Sequence, residues 1–337
     1  MSIAKKRTPN TIPNTPLGIS FYSVKKEQTH YHDRMLELIY CINGNVTVTW
    51  SYETCPLSKG EILCIMSNEI HNMTAEDDNL MVSFYIDLNH SMFSGKNLEH
   101  FMLCITSDYK NTSREQKLKE LINFLLSILY MYTENPETDE QTINQITSKL
   151  ADIIFENFGV FYIKDEFTDL PWSKERFDHL QLYLNMHYKE KLTLKYLSEM
   201  EHLNANYLSI YFNKTFNDTF NNYMSVIRVF HSEFDLLTTD QTISTIAYNN
   251  GFSDPKFYYK AFKKWYGTTP NQHRKNNIKH NSECIPGRIY KNNEIRHIVQ
   301  RYILYHFSKL TFDTFRITLP ETLSTPKTKN YSEWRLF

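Results

Sequence analysis

An internal repeat in the second half constrains the fold of this chain more than any other feature. Shifted by 50 positions, NANYLSIYFNKTF (204–216) aligns with DPKFYYKAFKKWY (254–266), and shifted by 49, TLKYLS (193–198) aligns with TISTIA (242–247). The longer alignment superimposes four pairs of similar residues: Tyr207 and Phe257, Phe212 and Phe262, Lys214 and Lys264, and Phe216 and Tyr266. Each copy combines a short segment of helical spacing, a turn and a longer helical segment. Two copies of a helix-turn-helix are therefore predicted.

The segment between the two copies is typical of a rigid spacer. It runs from 219 to 237 and contains no Gly or Pro in its 19 residues. As a helix it would be about 28 Å long. A rod of that length could hold two recognition helices in successive segments of a DNA major groove, about 34 Å apart. Asn204 and Asp254 stand where the second helix of each copy would begin, and both residue types cap helix N-termini.

Residues 249–275 concentrate cationic and aromatic side chains. They contain six cations, seven aromatics and one acidic residue. The cations, expected to face phosphate or base edges, are Lys256, Lys260, Lys263, Lys264, Arg274 and Lys275. Helical spacing predicts that the aromatic residues of both copies pack in the core rather than stack on bases, namely Tyr207, Phe212, Phe257, Phe262 and Tyr266. The alternative interpretation of the lysines is a solvated charged face.

Charge is distributed unevenly along the chain. Residues 174–279 carry 14 Lys and Arg against 10 Asp and Glu, whereas residues 1–100 carry 8 against 11, and the total is −1. This balance excludes a protein that coats nucleic acid over its whole surface but permits one basic face. The five cysteines include no C-x-x-C pair, which fits reduced thiols in a cytoplasm. The longest apolar run, 121–132, is too short to span a bilayer.

The first half alternates short β-rich runs with turns between residues 18 and 87. Asn43 and Gly44, between two alternating runs, predict a hairpin, and strands this closely spaced predict a small antiparallel barrel or sandwich. Helical periodicity follows over 114–134 and 140–158. The Leu and Ile residues of 117–132 fit either an intramolecular core or a dimer seam.

The expected fold class is therefore a multidomain α+β protein, in which an N-terminal antiparallel β-barrel with following helices precedes an all-α domain with two helix-turn-helix units. Its expected divisions are a flexible arm (1–17), a sensor barrel (18–90), a helical dimerisation or connector region (91–163), a linker (164–174), a double helix-turn-helix domain (175–279) and a C-terminal extension (280–337). The extension has helical spacing over 294–310 and a strand-like run over 314–324.

Residues 177–275 resemble the DNA-binding region of the AraC/XylS family of bacterial transcription regulators. The resemblance is densest in IAYNNGFSDPKFYYKAFKKWYGTTPNQHRK (246–275), which carries the family's I-A, G-F, F-K-K, G-x-T-P and closing Arg. It implies base-facing side chains on the second and sixth helices of the domain, here Asn206, Ser209 and Ile210 in the first copy and Lys256, Tyr259 and Lys260 in the second. Lys263 and Lys264 complete the expected DNA-binding set.

Several residues depart from the family pattern, mostly in the first copy. Ile210 stands where the family often has Arg, His202 where it often has Gly, and Asp235 where a buried Leu is usual. The first copy is therefore expected to bind mainly by position. Arg228 and Gly251 fall on positions expected to be structural, the latter because the turn needs a positive φ.

A histidine-rich stretch in the first half resembles the cupin pattern. HYHDRMLELIYCING holds His30, His32 and Glu37 in the spacing H-x-H-x4-E, and MSNEIHNM adds His71. In cupins such residues converge on a transition metal. The second cupin motif is eroded here, with Met66 and Asn68 at its usual Pro and Gly positions. The four residues could therefore ligate a metal, but they could equally bind a polar effector or satisfy one another. They are assigned to an effector, and no metal or other cofactor is predicted.

These features together predict a cytoplasmic transcription regulator that responds to a small-molecule effector and is not an enzyme. It would be a homodimer that binds double-stranded DNA and does not associate with a membrane. The family resemblance implies that it activates transcription through contact with RNA polymerase. One alternative is a metal-dependent cupin enzyme that uses His30, His32, Glu37 and His71. The other is a DNA-binding protein whose barrel only dimerises.

Overall fold

The computed structural model describes residues 2–51, 53–95, 98, 103, 105, 114–135, 138–158, 174–216 and 219–308. The strands within these ranges are β1 (Lys5–Lys6), β2 (Leu17–Tyr22), β3 (His30–Tyr31), β4 (Met35–Asn43), β5 (Asn45–Trp50), β6 (Glu53–Ser58), β7 (Ile62–Ile65), β8 (His71–Thr74), β9 (Leu80–Asp87) and β10 (Ile289–Tyr290). The α-helices are α1 (Arg114–Glu134), α2 (Glu140–Asn157), α3 (Lys174–Met186), α4 (Leu194–Met200), α5 (Ala205–Phe216), α6 (Phe220–Thr238), α7 (Ile243–Asn249), α8 (Pro255–Tyr266), α9 (Pro270–Ser282) and α10 (Asn292–Ser308). The predicted α+β fold class is confirmed. Of the predicted linker (164–174), residues 164–173 lie outside the described residues, and Lys174 begins α3.

The strands form two five-stranded sheets that pack together, and we call this unit the sandwich. One sheet has the order β1-β3-β8-β5-β6 and the other β10-β2-β9-β4-β7. The pairings are antiparallel except that of β1 with β3, which is parallel. The apolar core shared by both sheets includes Ile39, Leu63, Val48 and Met73. The predicted small antiparallel barrel or sandwich is therefore confirmed.

Strand β4 is buried on both faces, which explains its nearly continuous apolar sequence. Side chains alternate between the two faces of a strand. Ile39 belongs to the core between the sheets, whereas Leu38 and Tyr40 belong to the core beneath α1, α2 and α10. Glu37 shares the inward face of Ile39 by the same alternation, so a carboxylate lies inside the sandwich.

The turn at Asn43 and Gly44 moves the chain from one sheet to the other, so the predicted hairpin is wrong. β4 and β5 lie in different sheets. Gly44 has a φ of +81°, and a Cβ on it would lie 2.5 Å from the carbonyl oxygen of Asp78. The dipeptide therefore forms a tight turn, but pairing across the turn is prevented because each strand finds its partners in its own sheet.

Helices α1, α2 and α10 cover the outer face of the second sheet. Leu121, Leu125 and Leu129 of α1 are buried in the same core as Val299 and Ile303 of α10. The Leu and Ile residues of α1 therefore contribute to an intramolecular core, which is one of the two predicted alternatives. Among the helices that the structure describes, none combines the length and apolar character that a membrane crossing requires.

The described part of the C-terminal extension returns to the sandwich. Strand β10 adds to the edge of the second sheet, with Ile289 opposite Tyr22. The predicted helix of 294–310 is found as α10, which packs along α1 and brings the hydroxyl of Tyr302 within 2.6 Å of that of Tyr40. The predicted strand-like run of 314–324 lies outside the described residues.

Helices α3 to α9 form a separate region that is organised on α6. The first half of α6 contributes Met224 and Ile227 to a core with α3, α4 and α5, whereas its second half contributes Leu236 and Leu237 to a core with α7 and α8. The 19 residues of α6 contain no break, as predicted. One rod therefore connects two small cores, one for each copy of the repeat.

The N-terminal segment is docked between the two regions, although the sequence predicted a flexible arm over 1–17. The backbone N–H groups of Ile3 and Ala4 both donate to the carbonyl oxygen of Leu237 at the end of α6, at 2.8 and 2.9 Å. Lys5 and Lys6 then form β1 against β3. Ala4 is buried in the core of the second helix-turn-helix unit. The N-terminal segment is held in place by these long-range hydrogen bonds and contacts, which its local composition does not reveal.

Candidate functional site

Two structurally equivalent helix-turn-helix units are present, α4 with α5 and α7 with α8. The caps predicted from the sequence are confirmed, because Asn204 Oδ1 accepts from the N–H of Asn206 at 2.8 Å and Asp254 Oδ1 accepts from the N–H of Lys256 at 2.7 Å. Helices α5 and α8 are the third and sixth helices of the region. The base-facing residues predicted in the first copy lie on α5. The expectation that they lie on the second helix of the domain is therefore wrong, since α3 and α4 both precede α5.

The turns inside the two units have the same backbone geometry. His202 and the residue aligned with it, Gly251, have φ of +55° and +81°. The following N–H groups bond back in the same way, Leu203 to the Ser198 carbonyl at 2.8 Å and Phe252 to the Ala247 carbonyl at 3.0 Å. Left-handed backbone favours glycine. The first unit therefore carries conformational strain at His202 that the second avoids.

Arg228 and Gly251 are structural, as predicted. The guanidinium of Arg228, on α6, donates from Nε to the carbonyl oxygen of Tyr188 and from Nη2 to that of Glu190, both at 2.8 Å. A Cβ at Gly251 would lie 2.8 Å from the carbonyl oxygen of Lys189 and 3.0 Å from Arg228 Nε. Arg228 thus joins the loop after α3 to the rod, and only glycine fits beside it.

Helix α8 presents a cationic face to solvent. Its own residues Tyr258 and Phe262 are fully buried on the opposite side. The exposed residues of the helix are Lys256, Phe257, Lys260, Lys263 and Lys264. Tyr259 is half-buried, and its hydroxyl accepts from Asn271 Nδ2 at 3.1 Å. The ammonium of Lys264 lies 5.1 Å from the ring centroid of Trp265. The predicted DNA-facing residues of the second copy therefore lie on or at the edge of one exposed surface.

Helix α5 presents the corresponding face of the first unit. Asn206 and Ile210 are exposed and Ser209 is half-buried, while Leu208 and Phe212 are buried against the rod. Ile210 occupies the position that Lys260 occupies in the repeat. At this one position the face of α5 therefore carries a neutral side chain where that of α8 carries a cation.

Two of the predicted core aromatics are not buried. Phe257 is 61% exposed, and Tyr258 fills the core in its place. The same holds in the first unit, where Leu208 is buried and its neighbour Tyr207 is partly exposed. The prediction is therefore correct for Phe212 and Phe262 and wrong for Tyr207 and Phe257, because the aromatic pairs of the alignment include residues of both helix faces.

Arg274 supports the fold and does not face phosphate, contrary to the prediction. Its Nε donates to the carbonyl oxygen of Leu236 at 2.9 Å, and Nη2 donates to those of Gln241 and Thr239 at 3.1 and 3.4 Å. These carbonyl groups belong to the end of α6 and the loop behind it, where a helix leaves carbonyl oxygens without helical partners. Arg274 therefore caps the rod.

The four predicted effector-binding residues come together inside the sandwich. His30 lies on β3, His32 directly after it, Glu37 on β4 and His71 on β8. All four are buried, and one ligand atom from each lies within 4.8 Å of the others. The Glu37 Oε2 atom is 3.1 Å from His32 Nε2 and 3.2 Å from His71 Nε2. Residues separated by up to 41 positions in the sequence thus form one polar cluster in an apolar interior.

Backbone carbonyl groups orient the three imidazoles. Nδ1 of His30 donates to the Gln28 carbonyl at 2.9 Å, that of His32 to the Arg7 carbonyl at 3.0 Å, and that of His71 to the Glu69 carbonyl at 3.0 Å. Each bond leaves Nε2 as the inward atom. A hydrogen bond from the outer ring nitrogen to a carbonyl is the usual support of a metal-binding histidine.

The inward atoms fit a common ligand better than they fit one another. His32 Nε2, His71 Nε2 and Glu37 Oε2 lie within hydrogen-bond distance, yet none of them makes a hydrogen bond of acceptable geometry. Buried polar atoms normally have partners. Three imidazoles and one carboxylate are donors that first-row transition metals such as iron, manganese, nickel and zinc accept. The donor set therefore fits such an ion.

Charge and burial act against each other in this cluster. Burial opposes ionisation of Glu37, but the imidazoles of His32 and His71 hold the pKa of its carboxyl well below the usual value. At His32, burial is outweighed by that carboxylate, so the pKa of this imidazole is raised. Burial, together with His71 and Arg7, lowers the pKa of His30 well below its usual value. A proton and a metal ion would thus compete for the nitrogen of His32.

Arg7 is part of the cluster although no sequence pattern identified it. One of its terminal nitrogens lies 3.2 Å from His30 Nε2, and the same nitrogen pairs with the carboxylate of Glu27. The guanidinium therefore uses the lone pair that a metal ion would need on His30. Arg7 was missed because it precedes the histidines by more than 20 residues in a segment without periodicity.

Comparisons with known proteins match both halves of this arrangement. A family model described as a cupin domain matches residues 23–87, and one described as a helix-turn-helix domain matches residues 197–276. The helix-turn-helix-type transcriptional regulator YisR of Bacillus subtilis is 24% identical over 281 residues, covering 79% of this chain and 96% of that protein.

A helix-turn-helix-type transcriptional regulator of Staphylococcus aureus (strain COL) is 22% identical over 237 residues. The match covers 70% of this chain but only 31% of that relative, so the chain spans about a third of its length. The solved C-terminal domain of the two-component response regulator yesN from Fusobacterium nucleatum is 35% identical, with a TM-score of 0.28. It aligns over 30% of this chain and 98% of its own.

Proposed function

The chain belongs to the AraC/XylS family of transcription regulators, and we propose that it binds double-stranded DNA sequence-specifically and regulates transcription in response to a ligand in the sandwich. The observation that carries the proposal is the pair of equivalent helix-turn-helix units on one rod. Each has a buried apolar side and an exposed side that bears the predicted base-facing residues. A rod of 19 residues fits two recognition helices in successive major-groove segments.

Charge supports DNA as the partner of the second unit. Residues 255–275 contain six cations and no acidic residue. Lys256, Lys260 and Lys263 are exposed on α8, and Lys275 is exposed on α9. Phosphate contacts of this kind give affinity and position, whereas base contacts give sequence preference. We assign base contacts to Asn206, Ser209, Ile210, Lys256, Tyr259 and Lys260, and phosphate contacts to Lys263 and Lys264.

The ligand that best suits the sandwich is a divalent transition-metal ion, held by His32, Glu37 and His71, with His30 as a fourth ligand once Arg7 releases its Nε2 atom. The three oriented imidazoles and the carboxylate of Glu37 among them support this choice over an organic effector. The ion would act as the effector and would also hold β3, β4 and β8 together. Transcription regulators of this family are not enzymes, so no reaction is assigned to the site.

The contacts between the two regions provide a route by which the ligand could alter DNA binding. The Arg7 carbonyl orients His32, and the backbone of Ile3 and Ala4 is bonded to the end of α6. The ring of Tyr31, between the two histidines, packs edge-on against Phe234 of α6 at 4.9 Å. A shift of β3 on ligand binding would therefore reach the rod directly. The ligand would change DNA binding only if it bound one position of β3 relative to the rod more tightly than another, and so shifted the population between them.

Further parts of the proposal rest on the family. They are the divisions 1–17, 18–90, 91–163, 164–174, 175–279 and 280–337, a cytoplasmic location, a homodimer, and activation through RNA polymerase. A homodimer would present four recognition helices and lengthen the recognised site. The alternative that the sandwich only dimerises predicts operator affinity that no ligand changes.

A selection experiment tests the proposed function. Full-length protein, with and without added zinc, manganese or iron, is used to select from random duplexes at physiological salt. We expect a defined operator, with the affinity of the wild-type protein changing on chelation. Lys260→Ala should relax preference at one position at a cost of about 1–3 kcal/mol, whereas Lys263→Ala should weaken all duplexes alike. Absence of any sequence preference would refute DNA-binding specificity.

The metal is tested independently of DNA. Protein produced without an affinity tag is analysed for metals after dialysis, and stoichiometric binding is expected in the wild type. His32→Ala should remove the metal, whereas His297→Ala, at an exposed position on α10, should not. Metal-free wild-type protein that also fails to bind added ions would exclude this ligand and leave an organic effector.

A further inference from the structure

Among the side chains that the structure describes on the two recognition helices, one large apolar residue on each is exposed. Ile210 on α5 is 55% exposed and Phe257 on α8 is 61% exposed. Neither belongs to the apolar cores of the two units. Isolated exposed apolar residues are common on protein surfaces. Their positions on the helices distinguish these two, because both lie on the side of the helix away from its buried residues.

The helical geometry places both side chains among the predicted DNA contacts. On α8, Phe257 lies between Lys256 and Lys260, one turn from the latter, while its neighbour Tyr258 is buried. On α5, Ile210 lies one turn after Asn206, while Leu208 is buried. Residues three or four apart share one helix face. A helix that puts Lys260 or Asn206 against base edges therefore brings the apolar side chain to the same groove.

The chemistry of the major groove offers one apolar group. Adenine, guanine and cytosine present hydrogen-bond donors and acceptors there, whereas thymine also presents its C5-methyl group. Burying Ile210 or Phe257 against donors and acceptors would leave those atoms without partners. Contact with the thymine methyl avoids this loss and removes apolar surface of both groups from water.

We propose that Ile210 and Phe257 each contact a thymine methyl group, so that the operator carries a specified thymine in each of two successive major-groove segments. This inference rests on the proposed function, since it names the bases that the two recognition helices select. The two thymines would lie about 10 base pairs apart, the spacing of successive groove segments on one face. Ile210, which stands where the family often has Arg, would then change the base that the first unit recognises and would not abolish base recognition.

Charge favours DNA over an apolar protein partner for this surface. Phe257 is surrounded by lysines on a helix whose exposed residues include no acid, from Pro255 to Tyr266. An apolar protein surface would have to desolvate these ammonium groups without neutralising them. A duplex supplies both phosphates for the ammonium groups and a methyl group for the ring.

The test compares thymine with deoxyuridine, which lacks only the methyl group. In the operator selected with full-length protein, each thymine is replaced in turn, and dissociation constants are measured by fluorescence anisotropy at fixed salt. We expect two positions about 10 base pairs apart where replacement weakens wild-type binding about fourfold, the effect of one buried methyl group. Replacement at other thymines should have little effect.

Variants assign each methyl contact to its side chain. Phe257→Ala should bind thymine and deoxyuridine equally at one of the two positions and remain selective at the other, and Ile210→Ala should show the reverse. Phe257→Leu, which keeps an apolar side chain, should retain part of the discrimination. Lys263→Ala is the matched control, since it should weaken both duplexes alike and keep their ratio. Both apolar positions are exposed, so these variants should fold normally, which their thermal unfolding checks.

The outcomes distinguish this inference from the proposed function. If the wild-type protein selects an operator but tolerates deoxyuridine at every position, the methyl contacts are refuted and the proposed function stands. Discrimination that survives in both Phe257→Ala and Ile210→Ala would also refute the assignment. Failure to select any operator would refute the proposed function, and the inference with it.

Discussion

The Nε atom of Arg274 donates a hydrogen bond to the carbonyl oxygen of Leu236 at 2.9 Å. Arg274 and its neighbour Lys275 therefore differ in role although both are cations at the end of the family motif. Arg274→Ala should lower the free energy of unfolding by about 1–3 kcal/mol, because it leaves carbonyl groups at the end of α6 without partners. Lys275→Ala should change stability by less than about 0.5 kcal/mol.

Urea denaturation of both variants checks this difference. The DNA affinity of Lys275→Ala should fall equally for all duplexes. The slope of log affinity against log salt concentration should decrease in magnitude by about 1. If Arg274→Ala is as stable as the wild type and only DNA affinity falls, Arg274 contacts phosphate and the capping role is wrong.

The strain at His202 predicts a stabilising substitution. Its φ of +55° is unfavourable for a residue with a Cβ, whereas the aligned Gly251 is free of this penalty. His202→Gly should raise the free energy of unfolding by about 0.5–1 kcal/mol. His202→Ala is the control, because it removes the imidazole but keeps the Cβ, and no comparable gain is expected.

Gly251→Ala provides the opposite case in the second unit. The added methyl group would lie 2.8 Å from the Lys189 carbonyl oxygen in a left-handed backbone, so we expect a loss of about 1–3 kcal/mol or more. Thermal and urea unfolding measure both changes. A His202→Gly variant that is destabilised like Gly251→Ala would contradict the strain assigned to His202.

Arg7 should oppose metal binding. Its guanidinium donates to His30 Nε2 and places a positive charge beside the proposed ion. Arg7→Gln should therefore tighten zinc or nickel binding about tenfold, measured by isothermal titration calorimetry. Lys6→Gln removes the same charge at an exposed position paired with Asp33 and should leave the affinity nearly unchanged. Weaker binding in Arg7→Gln would show that the arginine supports the site.

The C-terminal helix should contribute to the stability of the sandwich. Ile303 is fully buried, whereas Leu304 is 43% exposed on the same turn of α10. Ile303→Ala should destabilise the protein by about 2–5 kcal/mol, because it leaves a cavity beneath α1. Leu304→Ala should stay within about 0.5 kcal/mol of the wild type. Similar effects of the two substitutions would contradict the observed packing of α10.

The parts of the structure that the sequence predicted are those with a local cause. The caps Asn204 and Asp254, the unbroken rod and the positive φ of Gly251 follow from short-range chemistry, and all are present. The convergence of His30, His32, Glu37 and His71 was expected from a spacing shared with a known fold.

The parts that were predicted wrongly depend on distant partners. Asn43 and Gly44 form a turn, but the choice of partner for β4 is made by β7 and β9. Phe257 and Tyr258 are chemically alike, so only the position of the rod decides which one is buried. The sequence predicts DNA contacts for both Arg274 and Lys275, and only the fold shows that Arg274 lies beside the end of α6.

The return of the chain after α9 has a topological consequence. In the chain, the helix-turn-helix region lies between α2, which packs on the sandwich, and β10 with α10, which also pack on it. It is thus inserted within the sandwich unit and does not hang from it as a terminal appendage. A single backbone cleavage between α2 and α3 would leave the two regions joined through β10 and α10, and any pivoting of the DNA-binding surface has to preserve that C-terminal connection.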